Sequence, residues 1–353
     1  MASAYINRIA TATPPHDVHG TFLSFGRQML CHDRRGLALF DRMAARSGIA
    51  HRYSHLAPDG EGKAVDQQGF YRLGAFPDTA ARMRAFEAFA PALAVEAVEK
   101  LLMGRDRKQI SHVIVTSCTG FSAPGIDLEL VERCGLRPSV ERSMVGFMGC
   151  YAAINALKLA RHIVRSEPDA QVLAVNLELC TLHLQETDNL EQILSFLLFA
   201  DGCAAALISA EPVGVEISSF RAALVPGTRK LIRWHIRDQG FDMILSGAVP
   251  GAIRGALSAS REEILGGAND IELWAVHPGG RSVLDAVEEA FALPPEALSA
   301  SRSVLKDYGN MSSGTVMFVL QEIMRQAQAG QRGCAMSFGP GLVAESMMFR
   351  MAA

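Results

Sequence analysis

The sequence predicts an α/β protein built from two related halves, with helices covering apolar sheets. Three observations predict it: short apolar runs alternate with segments of helical period, one glycine-flanked pattern occurs twice, and the chain is long and apolar enough for a large core. Its 353 residues are 49% hydrophobic and 20% charged, a composition that suits a globular protein and not a disordered one.

The first hundred residues contain DRRGLALFDRMAARSG and FEAFAPALAVEAVEKLLM, whose apolar residues recur as on a helix packed along one face. SHVIVTSC at 111–118 reads as a buried strand running into a Gly/Ser/Pro-rich segment, and a helix over 126–134 follows Pro124-Gly125. GFMGCYAAINALKLARHIV sets Ile154, Leu157 and Ala160 at helical spacing, which places Cys150 near a helix start. AQVLAVNLE at 170–178 is the next strand, followed by candidates at 203–209 and 216–222. IELWAVH at 271–277 is a further strand, ending at a histidine before Pro-Gly-Gly.

The repeat is faint but ordered. GFMG at 146–149, followed by helix and strand, has a counterpart in GNMS at 309–312, followed by TVMFVLQEIMRQA and GCAMSFG; the same offset relates Met148 to Met311. We place the boundary between the halves near 212, giving 1–212 and 213–353.

Composition also excludes classes of function. The 34 Lys and Arg against 37 Asp and Glu leave a formal charge of -3, no broad basis for binding nucleic acid or an anionic membrane. Seven cysteines, odd in number and without close metal-binding pairs, favour a reducing cytoplasm over a disulfide framework. MASAYINRIATATPP has neither the basic nor the apolar region of an export signal, and no later run of about eighteen apolar residues predicts integral membrane association.

Three polar residues carry the chemistry. A helix N-terminus would stabilise a Cys150 thiolate, which could take an acyl group from a thioester. His277, at a strand end, and Asn310, in YGNMSSG, could both donate to a thioester oxygen as negative charge develops there. Taken singly, each is at least as readily a packing residue: cysteine is often a small buried hydrophobe.

The ordered set VGFMGCYAA, LLFADGCAAALI, WAVHPGGRSVLDAVE, DYGNMSSGTVMFVL and SFGPGLVAE resembles the type III polyketide synthases, the chalcone synthase-like branch of the thiolase superfamily, over nearly the whole chain. The resemblance implies a homodimer whose subunits have the thiolase-like fold, two pseudo-duplicated halves in α/β/α/β/α layers. It also implies decarboxylative Claisen condensation of an acyl-CoA starter with malonyl-CoA, with these CoA thioesters as substrates and no cofactor or metal. Cys150 then resembles the acyl-carrying nucleophile, His277 the residue that pairs with it and polarises malonyl-CoA, and Asn310 the second oxyanion donor.

By the same resemblance Phe199 is the gatekeeper between CoA tunnel and reaction cavity, and Arg42 and Arg46 bind CoA phosphates; Leu39 stands where a further basic residue is common. Cys118, Cys180, His183, Trp234, Met243, Ser312 and the segment Phe338, Gly339, Pro340, Gly341 shape the cavity and the product. Cys118 and Cys180 replace hydroxyl residues of plant chalcone-forming members, Ala123 a methionine, His183 a threonine and Trp234 a glycine. The bulk of His183 and Trp234 opposes a large aromatic starter, so a small aromatic or pyrone product is expected. Two other readings accompany this one: a 3-oxoacyl carrier-protein synthase-like enzyme making a single condensation, and a non-catalytic interaction protein.

Overall fold

The computed structural model describes residues 2–59, 65–268 and 270–352. Its strands are β1 (Tyr5–Ala12), β2 (His16–Asp17), β3 (Tyr53–Ser54), β4 (His112–Ser117), β5 (Glu141–Gly146), β6 (Val172–Leu179), β7 (Asp201–Ser209), β8 (Val215–Leu224), β9 (Ile232–Arg237), β10 (Gly240–Leu245), β11 (Leu273–Val276), β12 (Arg332–Gly339) and β13 (Val343–Met351). A 9-stranded sheet runs β11-β12-β13-β8-β1-β7-β6-β4-β5, while β9 with β10 and β2 with β3 form separate antiparallel pairs.

The strands at the middle of the first half are apolar on both faces because both faces are covered. Every residue of β4, β6 and β7 is buried, as expected of strands enclosed between helices. Leu173, Val175 and Leu177 of β6 join the core of the helix Thr79–Leu102, whereas Val172 and Ala174 join the core of the helix Ala152–Ser166. The period of two along one strand thus serves two layers.

The helices Ala152–Ser166 and Thr315–Gln326 lie at the centre. Their Ala153, Ile154, Ala156, Val316, Val319 and Leu320 share one core with residues from β6, β7, β11, β12 and β13. Alanine at so many positions lets a helix approach its neighbours closely, and burial of both helices explains why their apolar residues spread beyond one stripe. On the far side of the second half, Trp274, Val276, Cys334 and Met336 pack with the helices Val249–Ala259 and Arg281–Phe291. The result is the layered α/β arrangement expected from the sequence.

The strand expected at 111–118 is His112–Ser117, that at 170–178 is Val172–Leu179, and the helix expected over 126–134 is Ile126–Arg133. The hairpin β9–β10 was not expected: its strands carry charged residues, and only Ile232, Phe241 and Met243, with half-buried Trp234, give it an inward face.

Candidate active site

Cys150 sits in a 3-10 turn, Gly149–Tyr151, that leads directly into the helix Ala152–Ser166. Opposite it, Ser312–Gly314 is the same kind of turn, leading into Thr315–Gln326. The two turns face each other, with Cys150 Sγ 3.8 Å from Ser312 Oγ. Ser312 N–H in turn donates to Asn310 Oδ1 at 2.8 Å. That bond fixes the Asn310 amide, whose Nδ2 donates one hydrogen to Gly279 O at 3.3 Å and has no partner for its second hydrogen among the described residues.

Asn310 is also tied to the segment around Phe199. It forms a parallel bridge with Phe199, its N–H donates to Leu198 O at 2.8 Å, and its carbonyl accepts from Ala200 N–H at 2.9 Å. The backbone therefore fixes the spacing between the amide and the Phe199 segment.

His277 follows β11 and is 1% exposed. Neither ring nitrogen has a hydrogen-bond partner among the described residues. Burial lowers its pKa to about 3, so the ring is neutral, with one donor and one acceptor free. The following glycine loop folds back over it: a Cβ built on Gly279 would lie 3.7 Å from Nε2.

The Cys150 thiol differs from expectation. Burial pushes its pKa up to about 12, reinforced by the charge of Glu178 and countered by Ser312, so the helix terminus does not hold a thiolate in this state. No hydrogen bond joins Cys150 to His277 among the described residues; the thiol contacts Ser312 instead.

Beside Cys150 lies a cavity of about 30 Å³ lined by Cys118, Cys180, Phe199, Trp234, Met243, Ser312 and Pro340, among others. Trp234 and Met243 are cross-strand partners of the hairpin, so their side chains emerge on one face. Trp234 Nε1–H donates to Cys118 O at 2.8 Å, and Cys118 Sγ accepts from Gly149 N–H at 3.0 Å. Pro340 occupies the space beside Gly149: a Cβ there would lie 2.2 Å from Pro340 Cδ.

Four expected cavity residues are placed elsewhere. His183 stands behind Trp234, stacked on Phe241 at 4.2 Å, with Nε2–H donating to Thr119 O at 2.7 Å and Nδ1 accepting from Phe241 N–H at 3.2 Å. With both nitrogens used, it braces the wall without lining it. Phe338 turns into the core of the second half. Gly339 packs its backbone on the Tyr151 ring, and Gly341 takes φ 76° and donates N–H to Ile232 O at 3.0 Å, so both shape the loop and not the surface.

A second cavity of about 730 Å³ is lined by Met43, Arg46, Leu198, Val249, Gly279 and Arg281, among others. Leu198 and Gly279 are also the carbonyl partners of Asn310, so this cavity ends against Asn310. Arg46 lines it; Arg42 does not.

Three residues, the buried Glu178 and Arg52 and the exposed Arg281, escaped sequence reasoning. Glu178, held near pH 7 by burial, accepts from Cys118 N–H, Thr119 Oγ1 and Ser313 Oγ. Arg52 donates to Phe196 O at 2.6 Å and Phe199 O at 3.0 Å, fixing the backbone that carries Phe199. Arg281 stands in the larger cavity. The only signal for Glu178 was a carboxylate inside an otherwise apolar strand; Arg52 and Arg281 gave none. Among the described residues, no group of His, Cys, Asp and Glu could hold a metal ion, and no helix is long and apolar enough to cross a membrane.

Family models described as chalcone and stilbene synthases, N-terminal domain and C-terminal domain, match residues 2–212 and 216–353. The chain is 34% identical to a bisdemethoxycurcumin synthase of Oryza sativa subsp. japonica, over 88% of this chain and 82% of that one. It is also 34% identical to the alpha-pyrone synthesis polyketide synthase-like Pks18 of Mycobacterium tuberculosis, over 76% and 72%. Among solved structures, PKS-I from the brown alga Ectocarpus siliculosus superposes with a TM-score of 0.90 at 30% identity, covering 99% of both chains. The C-terminal type III polyketide synthase domain of Steely1 from Dictyostelium gives 0.89 at 23% identity, covering 99% of this chain and 100% of that one, a likeness of fold.

Proposed function

The chain belongs to the chalcone and stilbene synthase family of type III polyketide synthases, and on that premise we propose that it extends a short acyl-CoA starter with malonyl-CoA and releases a small aromatic or pyrone product. The observation that carries this reading is the neutral, fully buried His277, with both nitrogens free, set beside Gly279 and the Asn310 amide.

In the proposed sequence Cys150 attacks the starter thioester, the Cys150 proton passes to the departing CoA sulfur, and CoA leaves as the free thiol. Malonyl-CoA then loses carbon dioxide while its thioester oxygen accepts hydrogen bonds from His277 and Asn310. The carbanion so formed attacks the acyl-Cys150 carbonyl, making the carbon–carbon bond and expelling the Cys150 thiolate. A neutral imidazole donates to that oxygen without needing a proton from solvent, which suits the low pKa that burial gives it.

The small reaction cavity supports the short starter. Trp234 is pinned by its bond to Cys118 O and braced by the T-shaped contact of His183 at 5.5 Å, so the wall does not yield as a free rotamer would. Phe199 lines this cavity and its neighbour Leu198 lines the larger one, as a gate between the two would require. A homodimer is part of the proposal, since the edge strand β5 and the residues after it leave Met144 40% and Met148 37% exposed. So is a cytoplasmic setting, which suits seven free thiols.

The test is incubation with malonyl-CoA and acetyl-, medium-chain and aromatic acyl-CoAs, with product masses read by mass spectrometry. Short-starter products are expected; absence of decarboxylation and of acyl-enzyme with every starter rejects the reading. Trp234→Gly should admit larger starters or further extensions. It should also destabilise the fold by roughly 3–5 kcal/mol, because the indole is a packed wall. An unchanged product distribution would remove Trp234 from the specificity determinants.

A further inference from the structure

The hairpin β9–β10 carries two residues of the reaction cavity wall, Trp234 and Met243, yet it pairs with no strand of the large sheet. A lone two-stranded hairpin is marginal in water, so contacts outside it must fix where those side chains stand. Its turn is held by the start of the helix Thr79–Leu102. Thr79 N–H donates to Asp238 O at 2.8 Å, and Thr79 Oγ1 donates to Arg237 O and accepts from Gly240 N–H at 2.7 Å. One helical turn further on, Arg82 packs against Gly240, which takes φ 102°; a Cβ there would lie 2.5 Å from Arg82 Nε.

Arg82 is fully buried and has no ion pair among the described residues. Its donors go to backbone oxygens instead. Nε donates to Pro77 O at 2.9 Å, and Nη1 donates to Leu182 O at 2.6 Å and Leu184 O at 2.8 Å. Nη1 is also 3.2 Å from the Tyr71 hydroxyl, which donates to Thr181 O at 2.7 Å. The segment so gripped is the turn Cys180–His183 with Leu184, and it places Cys180 on the cavity wall and His183 against Trp234. A buried charge without a counter-ion costs stability, and an apolar side chain could fill the same space. What only a rigid fork supplies is a simultaneous hold on the oxygens of two backbone segments.

We propose that Arg82 is a positioning residue for starter selection. With Thr79 it sets the hairpin against the segment 180–184, and thereby fixes where Trp234 and Met243 stand relative to Cys180. The inference rests on the reading of this cavity as the place where the chain grows, and its test separates the two.

Three variants are compared with the wild type: Arg82→Met, Arg82→Lys and Thr79→Val, the last of which removes only the hydroxyl bonds to the hairpin turn. In a Trp274→Phe background Trp234 is the only indole, and its quenching by acrylamide should rise in Thr79→Val and further in Arg82→Met. The ratio of kcat/KM for an aromatic acyl-CoA to that for acetyl-CoA should rise about tenfold in Arg82→Met and about threefold in Thr79→Val, since one methylene of pocket space is worth roughly 10–200-fold. Arg82→Lys should recover part of the difference, keeping the charge but losing the fork. Malonyl-CoA decarboxylation, which is assigned to His277 and Asn310, should stay near the wild-type rate in all three. If Arg82→Met does not fold, Thr79→Val carries both readouts. Equal losses with both starters at an unchanged ratio would show a purely structural role and overturn the proposal, as would a Trp234 no more accessible in folded Thr79→Val than in the wild type. A wild-type protein that turns over no starter overturns the enzymatic reading and the selection role with it, whereas a failure confined to the variants leaves that reading standing.

Discussion

The turns Gly149–Tyr151 and Ser312–Gly314 occupy corresponding places in the two halves, yet they are built on different constraints. Gly149 and Ser312 are equivalent positions of the repeat, and both take positive φ, 76° and 46°. Glycine at the first lets Pro340 pack where a side chain would otherwise stand. Serine at the second accepts an unfavourable backbone conformation and places its hydroxyl against Cys150 while its N–H orients Asn310. One backbone design has therefore been kept twice, presenting a thiol in one half and an oriented amide in the other.

Removing the thiol should have the largest effect. Cys150→Ala should fold, because the side chain is small, and should acquire no acyl group from starter CoA, read by intact-protein mass spectrometry. Acylation at the wild-type rate would mean that the first turn does not supply the nucleophile. The same turn has a pH signature. With the thiol pushed up to about 12 and His277 lowered to about 3, both are neutral near pH 7, and alkylation of the free enzyme by iodoacetamide should rise about tenfold per pH unit through the neutral range. A rate that levels off below neutrality would reveal a thiolate–imidazolium pair, which this arrangement does not contain.

The second turn is tested at Asn310. Asn310→Ala removes an amide aimed at the developing oxyanion and frees the Ser312 N–H; decarboxylation of malonyl-CoA should fall about 10²–10³-fold, or roughly 2.7–4 kcal/mol. Loading of Cys150 should fall far less, because the nucleophile is untouched. Equal loss in both half-reactions would erase the division of labour between the turns.

Much of this was legible in the sequence, for physical reasons that also mark the gaps. Strands such as His112–Ser117 and Val172–Leu179 are buried on both faces, so unbroken apolar runs announced them. Cys150, His277 and Asn310 lie at element ends flanked by glycine, and their motifs were readable for that reason. His183 was misjudged because its neighbour Trp234 comes from a remote hairpin and takes the place at the cavity wall. Phe338 was misjudged because it packs in the core shared with Cys180, Phe199 and Met243, behind those residues and not on the cavity surface. Arg52 was missed because its partner Phe199 lies far along the chain, and Arg281 because only the fold sets this exposed helix-start residue on the wall of the larger cavity.

The smallest effect, and the sharpest test of the comparison, is expected of Ser312→Gly, which gives the second turn the residue of the first. Relief of left-handed backbone strain should stabilise the fold by roughly 1–2 kcal/mol. The added freedom of glycine in the unfolded chain offsets about 0.5–1 kcal/mol of that. The net change should therefore lie between about 0 and about 1.5 kcal/mol, a shift of a few degrees at most in Tm for a chain of this size. Loss of the hydroxyl should alter Cys150 alkylation only about threefold or less, since a 3.8 Å contact to sulfur is a weak hydrogen bond. The Ser312 N–H is retained, so Asn310 stays oriented and decarboxylation should be nearly unchanged. A collapse of decarboxylation in a folded Ser312→Gly protein would show that the hydroxyl, and not the backbone amide, is what the second turn contributes.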